Sequence, residues 1–236
     1  ISNALRAYND DQDEDTMSGS KSKESNRPKV RYVEGKSMNS IWVNQSLGVD
    51  PATGNELFQA VNGDIVTTWS TDNYVIGGCT DSDLEGTFGT NLAWKGLQLN
   101  VIFRYSYGGQ IYNQTLVDKV QDADLRENVD RRVFEERWQK PGDQVMFTKL
   151  IGGATANATS VTKPTSRFIE DNNWLELSTL NLSYEFKMPW MKKIGLKRLK
   201  ALFYMNDVFR VSTVKQERGI DYPVGTNFSI GLQARF

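Results

Sequence analysis

The segment Leu97–Tyr107, LQLNVIFRYSY, alternates without a slip for eleven residues. Leu97, Leu99, Val101, Phe103, Tyr105 and Tyr107 share one face, and Gln98, Asn100, Ile102, Arg104 and Ser106 share the other. Period 2 over this length is a strand signature, because a helix would scatter the same side chains around its circumference. Lys95-Gly96 precedes it as a two-residue hairpin signal. Before that, Phe88, Leu92 and Trp94 alternate with Gly89, Asn91 and Ala93. An antiparallel hairpin over about 84–94 and 97–107 is expected. Eleven residues also suffice to cross a bilayer as a tilted barrel strand.

Three later segments repeat the pattern, at about 173–186, 199–210 and 227–236. Leu180, Leu182, Tyr184 and Phe186 alternate with Thr179, Asn181, Ser183 and Glu185. Leu199, Ala201, Phe203 and Met205 face away from Lys200, Tyr204 and Asn206, and Phe228, Ile230, Leu232, Ala234 and Phe236 oppose Asn227, Ser229, Gly231, Gln233 and Arg235. A soluble sheet with one wet face and a barrel in lipid both produce such alternation. Connection lengths favour the barrel. Residues 95–96 and 187–198 are short connections; 108–172, 211–226 and everything before 84 are long, and short turns at one end with long loops at the other mark outer-membrane barrels. Trp94, Tyr105, Tyr107, Trp174, Tyr184 and Phe186 fall near strand ends, where an aromatic girdle is expected.

Composition narrows the functions. The 236 residues carry 28 Lys plus Arg against 29 Asp plus Glu, so no nucleic-acid partner is expected. There is no histidine, which removes the commonest general base and metal ligand, and Cys79 is the single cysteine. Neither a metal site nor a cofactor is expected, and no enzymatic role. Asp11, Asp13 and Asp15 begin as a calcium loop does, but Thr16 and Ser22 stand where such a loop needs Gly and Glu, so 10–15 is read as a solvated acidic loop. No run of about 18 apolar residues offers a membrane-spanning helix, which says nothing about barrel strands.

The remainder is turn-rich. Asp50-Pro51 and Gly54 predict a structured turn, with short strands at 40–45 and 65–69. Leu125, Val129, Val133 and Phe134 have helical spacing within Asp124–Trp138, whose Arg and Glu residues read as i,i+4 pairs. Residues 18–29, 152–166 and 212–225 have the composition of exposed segments. In the loops Trp42, Trp69, Tyr112, Trp138 and Trp174 are candidates for stacking on sugar rings or peptide side chains, or for contact with a lid.

Residues 228–236, FSIGLQARF, place Ser229, Gly231 and Phe236 as in the C-terminal signal read by barrel-assembly machinery, although Ala234 stands where a larger hydrophobe is usual. Together with YVEGKSMNSIWVNQSLGVDPATGNELF, GTFGTNLAWKGLQLNVIFRYSYGGQIYN, RWQKPGD, TSRFIEDNNWLELSTLNLSYEF and NDVFRVSTVKQERGIDYPVG, this resembles the C-terminal part of SusC/RagA-family TonB-dependent transporters. The resemblance implies a fold and a set of partners. The fold is all-β: the last antiparallel strands of a 22-stranded transmembrane barrel with long extracellular loops, one containing a helix. The partners are a SusD-like surface lipoprotein, the TonB complex, outer-membrane lipid, and the rest of the barrel with its plug. The implied activity is import of oligosaccharides or peptides across the bacterial outer membrane.

Five strands cannot close such a barrel, so the chain is expected to be a piece, either truncated or completed by another chain. On this reading 1–83 is an extracellular loop region whose Ile1–Tyr8 ends a preceding strand, and 84–236 holds the five barrel strands with loops 108–172 and 211–226. Two alternatives stand beside it. One is an extracellular β-rich glycan-binding or adhesion module. The other is a glycoside hydrolase, for which Asp171 and Glu176 are the nearest pair of acids.

Overall fold

The chain runs α1 (Ser2–Met17), β1 (Ser40–Val49), β2 (Glu56–Gln59), β3 (Ile65–Val66), β4 (Tyr74–Cys79), β5 (Leu84–Trp94), β6 (Leu97–Tyr107), β7 (Gln110–Tyr112), β8 (Ile169–Asp171), β9 (Trp174–Phe186), β10 (Arg198–Ser212) and β11 (Asn227–Arg235). The structure, a computed structural model, describes residues 2–17, 26–125, 128–150, 162–214 and 227–236. Two units divide it: residues 82–109 with 171–236, and residues 1–81 with 110–170.

The first unit is one antiparallel sheet in the order β11-β10-β9-β6-β5. Its β5–β6 hairpin turns on Lys95 (φ 46°) and Gly96 (φ 92°), both left-handed, as a two-residue turn matched to strand twist requires. Register is regular from Leu84 opposite Tyr107 to Trp94 opposite Leu97. The β6–β9 ladder shifts once, between Ile102 and Phe103. That bulge answers a slip in the sequence of β9: Leu175 and Leu177 fall out of phase with Leu180 and Leu182, and the extra residue returns all four to one face. The expected strands appear within two residues at each end, and the short connections 95–96 and 187–197 lie at the same end of the sheet. Both outer strands, β5 and β11, are open edges.

The second unit replaces much of what reads as loop. β3-β2-β1-β4 form a four-stranded sheet, and β7 pairs with β8. Leu116, Val117, Val120, Val133, Phe147 and Phe168 are all buried in one cluster. Tertiary packing, rather than periodicity, assembles this core from 116–168.

Two expectations on local structure are corrected here. Of the strand end expected at 1–8, the described residues are helical: Ser2–Met17 forms a helix, and the acidic stretch 10–15 lies on it instead of in a loop. Asn9 holds the helix to the chain at Tyr32, donating from its side-chain amide to the Tyr32 carbonyl at 3.0 Å and accepting the Tyr32 N–H at 3.1 Å. Secondly, among the described residues of Asp124–Trp138, helix is confined to Arg132–Glu135. Asp130 accepts the backbone N–H of Arg132 at 2.8 Å and so marks the start, while Val133 is buried and Phe134 is 52% exposed. The expected i,i+4 pairing holds at Arg131–Glu135, 2.5 Å. Residues 1–81 and 110–170 fall in one unit, in which Arg167 pairs with Glu56. Most of the segments expected to be exposed, at 18–25, 151–161 and 215–226, lie outside the described residues.

Candidate functional site

Register decides which side chains of the five-stranded sheet share a face, and the two faces differ completely. One carries Phe88, Leu92 and Trp94 on β5, then Leu99, Val101 and Phe103 on β6. It continues through Leu177, Leu180 and Leu182 on β9, Phe203 and Phe209 on β10, and Phe228, Ile230 and Leu232 on β11. Phe88 and Phe103 stack at 5.0 Å between ring centroids, and Phe203 and Phe228 at 6.2 Å. Among the described residues of this unit nothing covers the face. Ile230 and Leu232 are each 73% exposed, Trp94 68% and Leu92 57%. A patch this large and continuous on a water-soluble protein would mark an interaction surface.

The other face is polar. Asn100 donates to Asn91 across β6 and β5 at 2.5 Å, Lys200 donates to Gln98 at 3.1 Å, and Arg198 binds Glu185 at 2.6 Å. Arg104, Glu176 and Arg210 stand side by side on β6, β9 and β10, with Glu176 3.8 Å from Arg210. Trp174 completes this patch, its ring 4.4 Å from the Arg210 guanidinium and 6.0 Å from that of Arg104. Asn91, Gln98, Asn100, Asn181, Ser183 and Lys200 line a concavity of about 600 Å³. Leu99, Val101, Phe103 and Leu182 thus lie opposite Gln98, Asn100, Arg104 and Asn181, as the alternation predicts.

The five aromatic candidates are not brought together, and none is widely exposed. Trp42 lies beneath the Arg31 guanidinium at 5.8 Å, and the same guanidinium covers Tyr74 at 5.0 Å. Trp69 meets the edge of Tyr74 at 5.4 Å, donates its indole N–H to the Pro164 carbonyl at 3.0 Å, and has the Lys163 ammonium at 5.9 Å. Burial lowers the pKa of that Lys163. Tyr112 packs on Phe168, and enclosure of its phenol, with Glu56 adding negative charge, raises its pKa. Trp138 donates to the Pro51 carbonyl at 2.9 Å and packs over Gly54, where a Cβ would lie 2.6 Å from its ring. Trp174 belongs to the polar face, apart from Trp94, Tyr105, Tyr107, Tyr184 and Phe186 on the apolar one, so it does not share the face expected of a girdle. Ser229 and Gly231 sit opposite Tyr204 and Leu202 in β11, and Phe236 is 73% exposed. Glu176 is ion-paired and flanked by two arginines, so it does not present a pair of acids with Asp171.

Sequence alone misses the polar centre of the second unit. Arg167 binds Glu56 through two contacts, 2.8 and 3.1 Å, with the two side chains 7% and 8% exposed, and also donates to the Met146 carbonyl. Glu56 takes a further bond from Ser46 at 2.6 Å. Buried Arg137 donates to the carbonyls of Val133, Thr148, Val120 and Gln121, closing the turn Val117–Gln121; burial brings its pKa down to about 10. These partners lie up to 111 residues apart, so no local spacing signals them.

A sheet apolar on one whole face, polar on the other and open at both edges is a segment of an antiparallel barrel wall. No family model matches the chain. It is 27% identical over 157 residues to TonB-dependent receptor P3 of Formosa agariphila, covering 66% of this chain and 14% of that receptor. To TonB-dependent receptor P26 of the same organism it is 26% identical over 180 residues, covering 76% and 17%. Among solved structures, the RagAB peptide transporter superposes with a TM-score of 0.62 at 16% identity, over 83% of this chain and 22% of that one. The RagAB peptide importer in its open-open state also gives 0.62, at 19% identity, over 84% and 22%. The chain spans about a sixth of the length of these receptors, and its similar proteins are receptors and transporters, not enzymes. Sequence likeness and shared fold together support a C-terminal portion of the SusC/RagA type.

Proposed function

We propose that this chain forms the C-terminal wall of a TonB-dependent outer-membrane transporter that imports oligosaccharides or peptides under a SusD-like lipoprotein lid. The observation that carries the reading is the uncovered apolar face running across all five strands. In water it would aggregate; against acyl chains it needs no cover. The opposite face then lines the lumen, with Arg104, Arg210 and Trp174 among its recognition groups. The residues between β6 and β9 lie outside the cell, close to lid and substrate. Neighbouring strands of the whole receptor pair with β5 and β11, since unpaired strand edges are not tolerated in lipid. TonB acts through parts of the receptor beyond this chain, and Ser229, Gly231 and Phe236 serve barrel assembly.

Single cysteines at 98, 99, 100, 101, 103 and 104 of the full-length receptor test the reading. A membrane-impermeant thiol reagent is expected to reach 98, 100 and 104 and to leave 99, 101 and 103 untouched. The reverse pattern overturns the assignment of faces. A receptor fully soluble without detergent would favour the glycan-binding or adhesion module instead.

A further inference from the structure

The two ends of the five-stranded sheet carry opposite charge. At the end where the chain passes to and from the second unit, Asp83, Glu85 and Asp171 are exposed. At the other end, the turn 95–96 and the connection 187–197 meet the ends of β10 and β11. There Lys95, Lys187, Lys193 and Arg235 are exposed. Among the described residues the single acidic side chain at this rim is Glu185, already bound to Arg198 at 2.6 Å. Lys197 is engaged as well, donating to the Phe236 carbonyl at 3.2 Å.

The rim also carries exposed apolar side chains. Trp94 is 68% exposed with the Lys95 ammonium 4.9 Å above its ring, Ile194 is 56% exposed and Met188 42%. Trp94 lies on the apolar face, so its ring marks where that face meets the rim. Cations and an indole at one level suit a membrane interface, where the ring sits among headgroups and ammonium groups meet phosphate.

We propose that this rim binds the phosphate of anionic phospholipids, with Lys95, Lys187 and Lys193 of the connections as the headgroup contacts and Trp94 against the upper acyl chain. The inference rests on the membrane-wall reading above and adds to it a preference among lipids. Three cations with the one nearby carboxylate neutralised attract a net negative headgroup over a zwitterionic one, and the attraction is screened by salt.

The test uses the full-length receptor, purified in a neutral detergent and incubated with phosphatidylglycerol and phosphatidylcholine of identical chains. Retained lipid is counted by native mass spectrometry. Wild type is expected to retain phosphatidylglycerol at least about tenfold over phosphatidylcholine, with the preference shrinking at high salt because the screening length falls to about 3 Å at 1 M. The variant K95Q/K187Q/K193Q is expected to lose the preference. The charge-conserving variant K95R/K187R/K193R is expected to keep it, which separates loss of charge from loss of fold. Equal retention of both lipids by wild type, or an unchanged preference in the Gln variant, would overturn the headgroup site and leave the membrane wall standing. Retention of neither lipid would overturn both.

Discussion

The two units of this chain solve burial in opposite ways. The second unit draws Leu116, Val133, Phe147 and Phe168 out of contact with solvent and places Glu56, Arg137 and Arg167 among them with every charge partnered. The five-stranded sheet has almost no interior: of its large apolar side chains, Leu177 is buried, at 8% exposure, while those of β5 and β11 stand open. A polypeptide that can build a closed core in one region does not leave a sheet face bare in another by accident of composition. On the proposed membrane reading, the difference is one of solvent: the sheet is matched to lipid. Substitutions that act through burial should therefore act in opposite senses in the two units.

The largest expected effect is in the second unit. Arg167→Met leaves the Glu56 carboxylate buried without its cation, held by the Ser46 hydroxyl, and breaking one side of such a pair costs about 3–5 kcal/mol. Thermal unfolding of the full-length receptor should show the unit melting early while the barrel keeps its resistance to heat and detergent. A variant in which barrel and loops lose stability together would show that the units are not separate. The double substitution E56Q/R167M should recover part of the loss, because no unpaired charge remains.

Next comes Val101→Arg, on the apolar face of β6. If that position lies near the bilayer midplane, an arginine there costs about 2–4 kcal/mol. Asn100→Arg, one residue away on the polar face, should change stability by less than about 0.5 kcal/mol. Refolding equilibria of the two variants in lipid vesicles measure both. Equal costs would mean that the sheet does not have one wet and one lipid face.

The same contrast explains what could be read from sequence. In the sheet every side chain's environment follows from the parity of its position, so Leu97–Tyr107 alone specifies a strand, its length and its two faces. Even the one slip, at Leu177–Leu180, appears in the sequence as a change of phase that only a bulge can absorb. The second unit has no such rule. Glu56 and Arg167 are 111 residues apart, and neither neighbourhood hints at the other. The periodicity of Asp124–Trp138 is real, but Asp130 restarts the backbone at Arg132, and Val133 alone of its apolar set is fully buried. Trp42, Trp69 and Trp138 look like binding aromatics in composition. In the fold they are occupied by Arg31, Tyr74 and Gly54 respectively. Of the proposed recognition groups, Trp174 was legible, whereas its arginine neighbours depend on the register of three strands.

The smallest expected effect separates the units by pH. Asp122 accepts the backbone N–H of Thr162 at 2.9 Å and its hydroxyl at 2.6 Å. Burial nevertheless outweighs these bonds and raises its pKa above the ordinary carboxylate value, with the nearby Asp118 pushing in the same direction. A folded-state pKa above the unfolded one means that the native unit binds the proton more tightly. The contribution to stability is therefore complete below the unfolded value of about 3.9 and is lost as pH rises through the raised folded value. Asp122→Asn keeps an acceptor for the Thr162 N–H, and the Thr162 hydroxyl can turn from donor to acceptor. The variant should match wild type at acid pH and exceed it in the second unit's melting temperature at neutral pH. The difference between the two proteins, followed from pH 3 to 8, cancels the titration of all other groups. A difference that is flat with pH, or that favours wild type as pH rises, would mean that Asp122 is held charged by its partners; the neighbouring Arg137 is then the cation to replace next. Barrel stability in the same samples should not follow this difference at all, since Asp122 belongs to the other unit.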